Sequence, residues 1–180
     1  MSEQQVVSCD TSKDKGCDGG LSSNAYKYLE KNAVELDSDY PYTSGTTHNT
    51  GDCQVESSKE MYFVSSSKNV AKDNAKQLKA AIAQQPVSVS ICAGAYDIQF
   101  YKFGIISKDK CCFGLDHAVV AVGYGTDKTP TGDIPYYIVR NSWGEDWGED
   151  GYFRLEIDDS FRAKGTCGIQ ERPLYPVAKN

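Results

Sequence analysis

Two histidines, seven cysteines and two tryptophans are the residues of this chain with the most chemistry to offer. Imidazole titrates near neutral pH and moves protons, so the histidines come first. His117 stands between Asp116 and the run Ala118-Val119-Val120, at the entry of a predicted buried strand. A histidine there faces a cleft while its strand holds it, or it is a structural side chain. His48 lies in a Thr/Asn/Gly segment with no acidic or cysteine neighbour and reads as an exposed loop residue. The second constellation is Asn141-Ser142-Trp143-Gly144-Glu145-Asp146-Trp147-Gly148, which follows a predicted strand and holds both tryptophans. An asparagine carbonyl can accept an imidazole proton and fix one tautomer, and an indole beside that bond keeps water off it. The alternative is a turn braced by aromatic rings. The acidic residues Glu145, Asp146, Glu149 and Asp150 around Trp147 read as a solvated loop, or as a source of repulsion towards acidic substrates.

The elements that position these groups follow from pattern. Residues 9 to 20 read as a loop rich in Gly, Asp, Lys and Ser. Ser22 or Ser23 can cap an amphipathic helix running roughly from 23 to 33. Residues 37 to 58 are irregular, and Glu60 to Ser65 is a short strand candidate. Asp73 can cap a second helix with Ala75, Leu78, Ala81 and Ile82 on one face, ended by Pro86. Val87, Val89 and Ile91 alternate with Ser88, Ser90 and Cys92, the pattern of a strand buried on one face. Tyr96 to Tyr101 fits a helical turn. Ala118 to Val122 and Tyr136 to Val139 fit buried strands, and Phe153, Leu155 and Ile157 alternate. Helices first and antiparallel strands afterwards give an α+β class.

Composition bounds the answer. The chain has 180 residues, 39% hydrophobic and 24% charged, with 16 glycines and 6 prolines, a globular profile. Nineteen basic against 25 acidic residues give a net charge of −6, and without a Lys/Arg cluster the chain is a poor nucleic-acid binder. No apolar run approaches the roughly 18 residues of a membrane span. Seven cysteines suit an oxidising compartment, and the odd count leaves at least one thiol without a partner in the chain. The N-terminus has neither the basic nor the apolar region of a signal peptide. Thus either the thiols stay reduced, or residue 1 is not the start of the natural precursor. A cytosolic or assembly-bound location follows if Met1 is the true start.

Taken in order, these motifs carry a resemblance. Leu115-Asp116-His117-Ala118-Val119-Val120-Ala121-Val122-Gly123-Tyr124-Gly125 precedes Asn141-Ser142-Trp143-Gly144, Trp147-Gly148 and Gly151-Tyr152. Gly16-Cys17-Asp18-Gly19-Gly20, Tyr40-Pro41-Tyr42, Pro86-Val87-Ser88-Val89 and Tyr175-Pro176-Val177 stand in the same order. Over its whole length the chain resembles the papain-like cysteine peptidases, the cathepsin L group among them. The resemblance implies a two-lobe fold. Residues 1–85 would be a truncated helical lobe and residues 86–180 an antiparallel, barrel-like β lobe carrying the His/Asn pair, with the C-terminal tail crossing back.

The resemblance also implies roles. His117 matches the imidazole that pairs with a nucleophilic thiolate, Asn141 the residue that orients it, and Trp143 the indole covering their bond. Gly19 and Gly20 match the backbone that pairs with an extended substrate. Leu21, Ser22, Ser90, Ala93, Leu115, Asp116 and Arg172 match the substrate-binding wall, Arg172 placing a positive charge near the floor of the pocket for the second residue before the cleaved bond. Cys9 is implied to pair with Cys53 and Cys111 with Cys167, leaving Cys17 unpaired. Cys92 and Cys112 are extra, bridged to each other or free. Neither cofactor nor metal is implied, and Cys111-Cys112 with His117 matches no common zinc spacing. The family's nucleophile lies in a Cys-Gly-Ser-Cys-Trp run about 130 to 150 residues before the histidine, hence at roughly −13 to −33 here. The oxyanion-hole glutamine belongs to the same stretch. The expectation is the C-terminal part of a cysteine endopeptidase, inactive as this chain alone, in a lysosomal, vacuolar or extracellular setting. Its partners would be a peptide or protein substrate once the missing segment is supplied, and a protein covering the exposed lobe. The alternative is a pseudo-peptidase serving as a binding or structural subunit.

Overall fold

In a computed structural model that describes residues 1–178 apart from 57 and 60, the chain divides into two compact units. One comprises residues 1–68 with 176–180, the other residues 69–175. The expected boundary at 85/86 therefore falls inside the second unit.

The first unit contains helices α1 (Glu3–Cys9), α2 (Ser22–Leu29) and α3 (Ser44–Thr47) and strands β1 (Val34–Glu35), β2 (Met61–Tyr62) and β3 (Val64–Asn69), the last ending at the division. Its interior is polar. Among its described residues the buried apolar side chains are Ala33 and Val34, beside buried Ser2, Gln4, Gln5, Ser8, Asp10, Glu35 and Ser44. Helix α1 sits where the pattern offered no helix, because its inward face is Gln4, Gln5 and Ser8 rather than an apolar stripe. Ser2 caps it, its Oγ accepting the Gln5 N–H at 3.0 Å. Gln4 then ties three segments together. Its Nε2 donates to Ser8 Oγ (2.8 Å), Ser44 Oγ (2.8 Å) and the Thr50 carbonyl (3.1 Å), while its Oε1 accepts the N–H groups of Thr43 and Ser44, each at 2.9 Å. The Cys9–Cys53 disulfide closes the same region.

Helix α2 differs from expectation at both ends. Leu21 occupies the cap position with no side-chain bond, Ser22 and Ser23 are already helical, and the helix stops at Leu29. Ala33 leaves the helix to be buried next to β1. Glu60, where a strand was expected to begin, is outside the described residues; strand β2 begins at Met61.

The second unit holds helices α4 (Ala75–Ile82) and α5 (Tyr96–Gln99) and strands β4 (Val87–Ile91), β5 (Ile105–Ile106), β6 (His117–Thr129), β7 (Gly132–Arg140), β8 (Tyr152–Glu156) and β9 (Leu174–Ala178), which runs out past the division. Its strands are ordered β9-β4-β6-β7-β8-β5, antiparallel except for the parallel pair β5/β8, so the sheet is mixed where a purely antiparallel one was expected. Helices and a mixed sheet together make an α+β fold.

Asn74, not Asp73, caps α4, its side chain accepting the Gln77 N–H at 3.0 Å, while Asp73 adopts a positive φ of 54°. The apolar face Leu78, Ala81 and Ile82 belongs to the same core as Val87, Val89, Ile98, Val119, Tyr137, Val139, Phe153 and Leu155. That burial places α4 in the second unit. Strand β4 is buried on both faces rather than one, since Ser88 and Cys92 are buried alongside the valines. Strand β6 does the reverse. Val119 and Ala121 are buried and Ala118 is exposed, so its apolar run alternates like an ordinary half-covered strand.

Candidate functional site

Strand β6 begins at His117, which is paired across the ladder with Ile91 of β4. Strand β7 ends at Arg140, so Asn141 is the first residue of the turn beyond it. Because β6 and β7 pair directly, with Val120 opposite Arg140, the two side chains meet. His117 Nε2 and Asn141 Oδ1 are 2.8 Å apart. The Ser142 N–H donates to the same Oδ1 at 2.8 Å, which identifies that atom as the carbonyl oxygen. Nε2 is therefore the proton-bearing nitrogen, and it donates. Nδ1 makes no hydrogen bond among the described residues and is left to accept a proton as neutral imidazole or give one as imidazolium.

Asn141 is buried, at 9% exposure, and its own N–H donates to the Gly151 carbonyl at 2.9 Å. Trp143 stacks on His117 with ring centroids 5.1 Å apart and planes at 25°, and is itself 36% exposed. Trp143 meets Trp147 edge-on at 5.1 Å, and Trp147 packs on Tyr101 and Phe153 of the core. The Trp143 indole over the imidazole is thus anchored to the core through Trp147.

A cation fixes the loop from below. Glu149 accepts a forked bond from Arg154 Nε at 3.0 and 3.3 Å, one from Arg154 Nη2 at 2.8 Å, and one from the Gly104 N–H at 3.1 Å. Arg154 also reaches Asp127 at 3.0 Å and lies over the Tyr136 ring. Burial pushes the Glu149 carboxyl up, but the Arg154 guanidinium and the Gly104 N–H outweigh it and hold it below its ordinary range. Burial, aided by Glu149, pushes the Tyr101 hydroxyl up to about 12. Glu149 is therefore a structural member of the loop and not a solvated charge. Glu145, Asp146 and Asp150 are exposed. Nothing in the sequence singles out Arg154 or its pairing with Glu149, since alternating strand residues of this kind are usually solvent-facing.

Several residues of the expected substrate wall gather near this pair. Asp116 is exposed, its Oδ1 accepting the Ala93 N–H at 2.7 Å and its N–H donating to the Ile91 carbonyl at 3.0 Å. Ala93 is buried, and half-buried Ser90 lies opposite Ala118 in the ladder. Leu115, half-buried, lines a cavity of about 170 Å³ together with Phe113, Gly168 and Glu171. Arg172 is exposed, does not line that cavity, and has no ion pair among the described residues.

The remaining expected residues lie in the first unit. Gly19 and Gly20 follow the 3₁₀ turn Gly16–Asp18, and Leu21 and Ser22 lead into α2. Gly19 is tied down, its N–H donating to the Gly16 carbonyl and its carbonyl accepting the Lys15 N–H. Gly20 differs: it is exposed, and its N–H and carbonyl make no hydrogen bond among the described residues. Any Cβ there would lie 2.5 Å from the Asp14 carboxyl carbon, whose Oδ1 accepts the Leu21 N–H. Glycine therefore keeps an unpaired stretch of backbone open.

Cys111 is bonded to Cys167 as expected, and Cys92 and Cys112 are bridged to each other rather than free. Cys17 is a free, exposed thiol. His48 is an exposed loop residue with φ 54°.

Residues 1–177 match the family described as papain family cysteine protease. Among curated proteins, the cysteine endopeptidase RepA of Oryza sativa subsp. japonica is 39% identical over 179 residues, covering 98% of this chain and 45% of RepA. The cysteine proteinase RD21A of Arabidopsis thaliana is 41% identical, covering 98% of this chain and 37% of RD21A. Among solved structures, bromelain from Ananas comosus in complex with the E64 inhibitor superimposes with a TM-score of 0.84 at 36% identity, covering 99% of this chain and 78% of that one. The chain spans about half the length, or less, of these curated relatives. On this similarity, with a histidine held by an asparagine beneath an indole, the chain belongs to the papain family of cysteine proteases.

Proposed function

We propose that this chain is the C-terminal part of a papain-like cysteine endopeptidase, with a nucleophilic cysteine and an oxyanion-hole glutamine carried by a segment preceding residue 1 in the intact protein. The observation that carries the reading is the His117 Nε2–H bond to Asn141 Oδ1 beneath Trp143, which leaves Nδ1 for the reaction. In the proposed reaction the thiol proton passes to His117 Nδ1 and the thiolate attacks the peptide carbonyl carbon. The tetrahedral intermediate collapses as imidazolium protonates the leaving amine, giving a thioester and a new N-terminus. Water, deprotonated by His117, hydrolyses the thioester to a carboxylic acid and restores the thiol. Asn141 holds the tautomer throughout.

The unpaired backbone of Gly20 supports substrate binding in extended form by strand addition. Arg172, exposed and outside any ion pair among the described residues, supports discrimination against basic side chains in the pocket for the second residue before the cleaved bond. The free Cys17 would pair with a cysteine of the preceding segment. Three disulfides support an oxidising compartment, vacuolar or extracellular. The polar interior of the first unit supports the same segment, or a protein partner, covering its exposed Leu21, Tyr42, Tyr62 and Phe63.

A thiol-reactive peptidyl epoxide tests the reading on this chain and on an N-terminally extended form. The extended form is expected to label, His117→Ala to abolish labelling, and the 180-residue chain to stay unlabelled. An extended form with an intact cysteine that neither labels nor cleaves would replace the reading with a pseudo-peptidase that binds without cutting.

A further inference from the structure

A closed circuit of contacts surrounds His117 within the second unit. Trp143 covers the imidazole and rests on Trp147. Trp147 Nε1 donates to the Gln99 carbonyl at 3.3 Å, and Gln99 Nε2 donates to the Ala93 carbonyl at 2.7 Å. The Ala93 N–H donates to Asp116 Oδ1 at 2.7 Å, and Asp116 is covalently next to His117.

The weakest packing of this circuit lies just before Asp116. Phe113 is fully exposed, Gly114 has φ +93° with open space around it, and Leu115 is half-buried. Cys112 ends that stretch, and Cys92 stands between Ile91 and Ala93, the two residues hydrogen-bonded to Asp116. The buried Cys92 also donates its N–H to the carbonyl of Cys167, the partner of Cys111. The Cys111 bridge anchors the loop to the turn at 165–168. The Cys112 bridge is the covalent tie to the strand that holds Asp116.

We propose that the Cys92–Cys112 disulfide is a positioning element for His117: by pinning residues 112–116 to the end of β4 it preserves the Asp116–Ala93 bond, and so seats the imidazole against Asn141. Neither cysteine touches the reacting atoms. The inference rests on reading His117 as the reacting imidazole.

The test is nitrogen-15 NMR of the full chain, following the His117 Nε2–H signal. In a Cys92→Ala/Cys112→Ala variant its exchange with water rises by about tenfold, on the order of one net hydrogen bond lost, while the backbone amides of β6 and β7 keep their shifts. A Cys9→Ala/Cys53→Ala variant leaves the signal unchanged. Asp116→Ala reproduces the faster exchange with both bridges intact, and Asp116→Asn, which keeps an accepting oxygen, restores the slow value. An unchanged Nε2–H signal in the folded double variant overturns the proposal. If that variant does not fold, graded reduction of the wild-type chain decides. Loss of the signal in step with alkylation of Cys112 supports the proposal, and persistence in species alkylated at Cys112 overturns it. The signal needs no turnover, so an extended protein that labels with epoxide while the signal ignores the bridge sinks this inference alone.

Discussion

Asn141 Oδ1 accepts two hydrogen bonds, each of 2.8 Å, one from His117 Nε2–H and one from the Ser142 N–H. The second bond makes the first specific. Rotating the amide would aim an NH₂ at both donors, so the carbonyl stays directed at the ring. Asn141→Ala is expected to lower kcat/KM of an N-terminally extended, active form by roughly 10- to 100-fold, the worth of a hydrogen bond to a charged group. KM should change little, because the bond orients a reacting group rather than the substrate. Steady-state kinetics on a peptide substrate checks this, and an unchanged kcat would refute the role.

Glu149 gives the Trp143 loop an acid limit. Its carboxyl is held below its ordinary value, near 4.3 in free peptides. A carboxylate depressed by folding stabilises the fold at pH above its unfolded value and loses that contribution as pH falls through its folded value. The chain should therefore weaken below about pH 4. Glu149→Gln should be less stable at pH 7 by about 1–3 kcal/mol, since it leaves Arg154 with a poorer partner, and should show a shallower loss in acid. Urea melts at a series of pH values measure both, and parallel curves for wild type and variant would contradict the assignment.

Gln4 is the hub of the first unit. Gln4→Leu keeps the volume but leaves the Thr43 and Ser44 N–H groups without their acceptor. A loss of about 2–4 kcal/mol is expected, with faster amide exchange at residues 43 and 44 and little change in β6 or β7. Exchange that rises equally in both units would show that the network is not local to the first.

Arg172 is a specificity prediction. In an extended, active form, Arg172→Ala should raise kcat/KM for substrates with Lys or Arg at the second position before the cleaved bond by several-fold, with little change for leucine there. A wild-type profile that already prefers Arg or Lys would disprove the electrostatic reading.

The contact between His117 and Asn141 is legible in the sequence because strand pattern and side-chain chemistry coincide there. One strand begins at His117, another ends before Asn141, and their direct pairing does the rest. The supporting residues were not legible. Helix α1 hides behind a face of Gln and Ser, which reads as surface until Gln4 is seen satisfying three segments at once. Glu149 looks like one charge among four, and only the packing of β8 beside the loop supplies Arg154. The choice of Asn74 over Asp73 as helix cap turns on backbone dihedral angles that composition does not encode. The sequence leaves Cys92 and Cys112 either bridged to each other or free, and only the meeting of their segments at the end of β4 decides for the bridge.

Adjacent Cys111 and Cys112 bridge to different partners, Cys167 and Cys92. Because those partners are joined by a backbone hydrogen bond, all four sulfurs mature within one small neighbourhood. Oxidation of this chain is therefore a sorting problem between two neighbouring thiols. Exchanging them would slide the following loop by one residue and carry Asp116 out of register. A mispaired first bond would have to be undone by thiol–disulfide exchange, so refolding yields of native protein are expected to follow the isomerase and redox buffer supplied more closely than the strength of the oxidant.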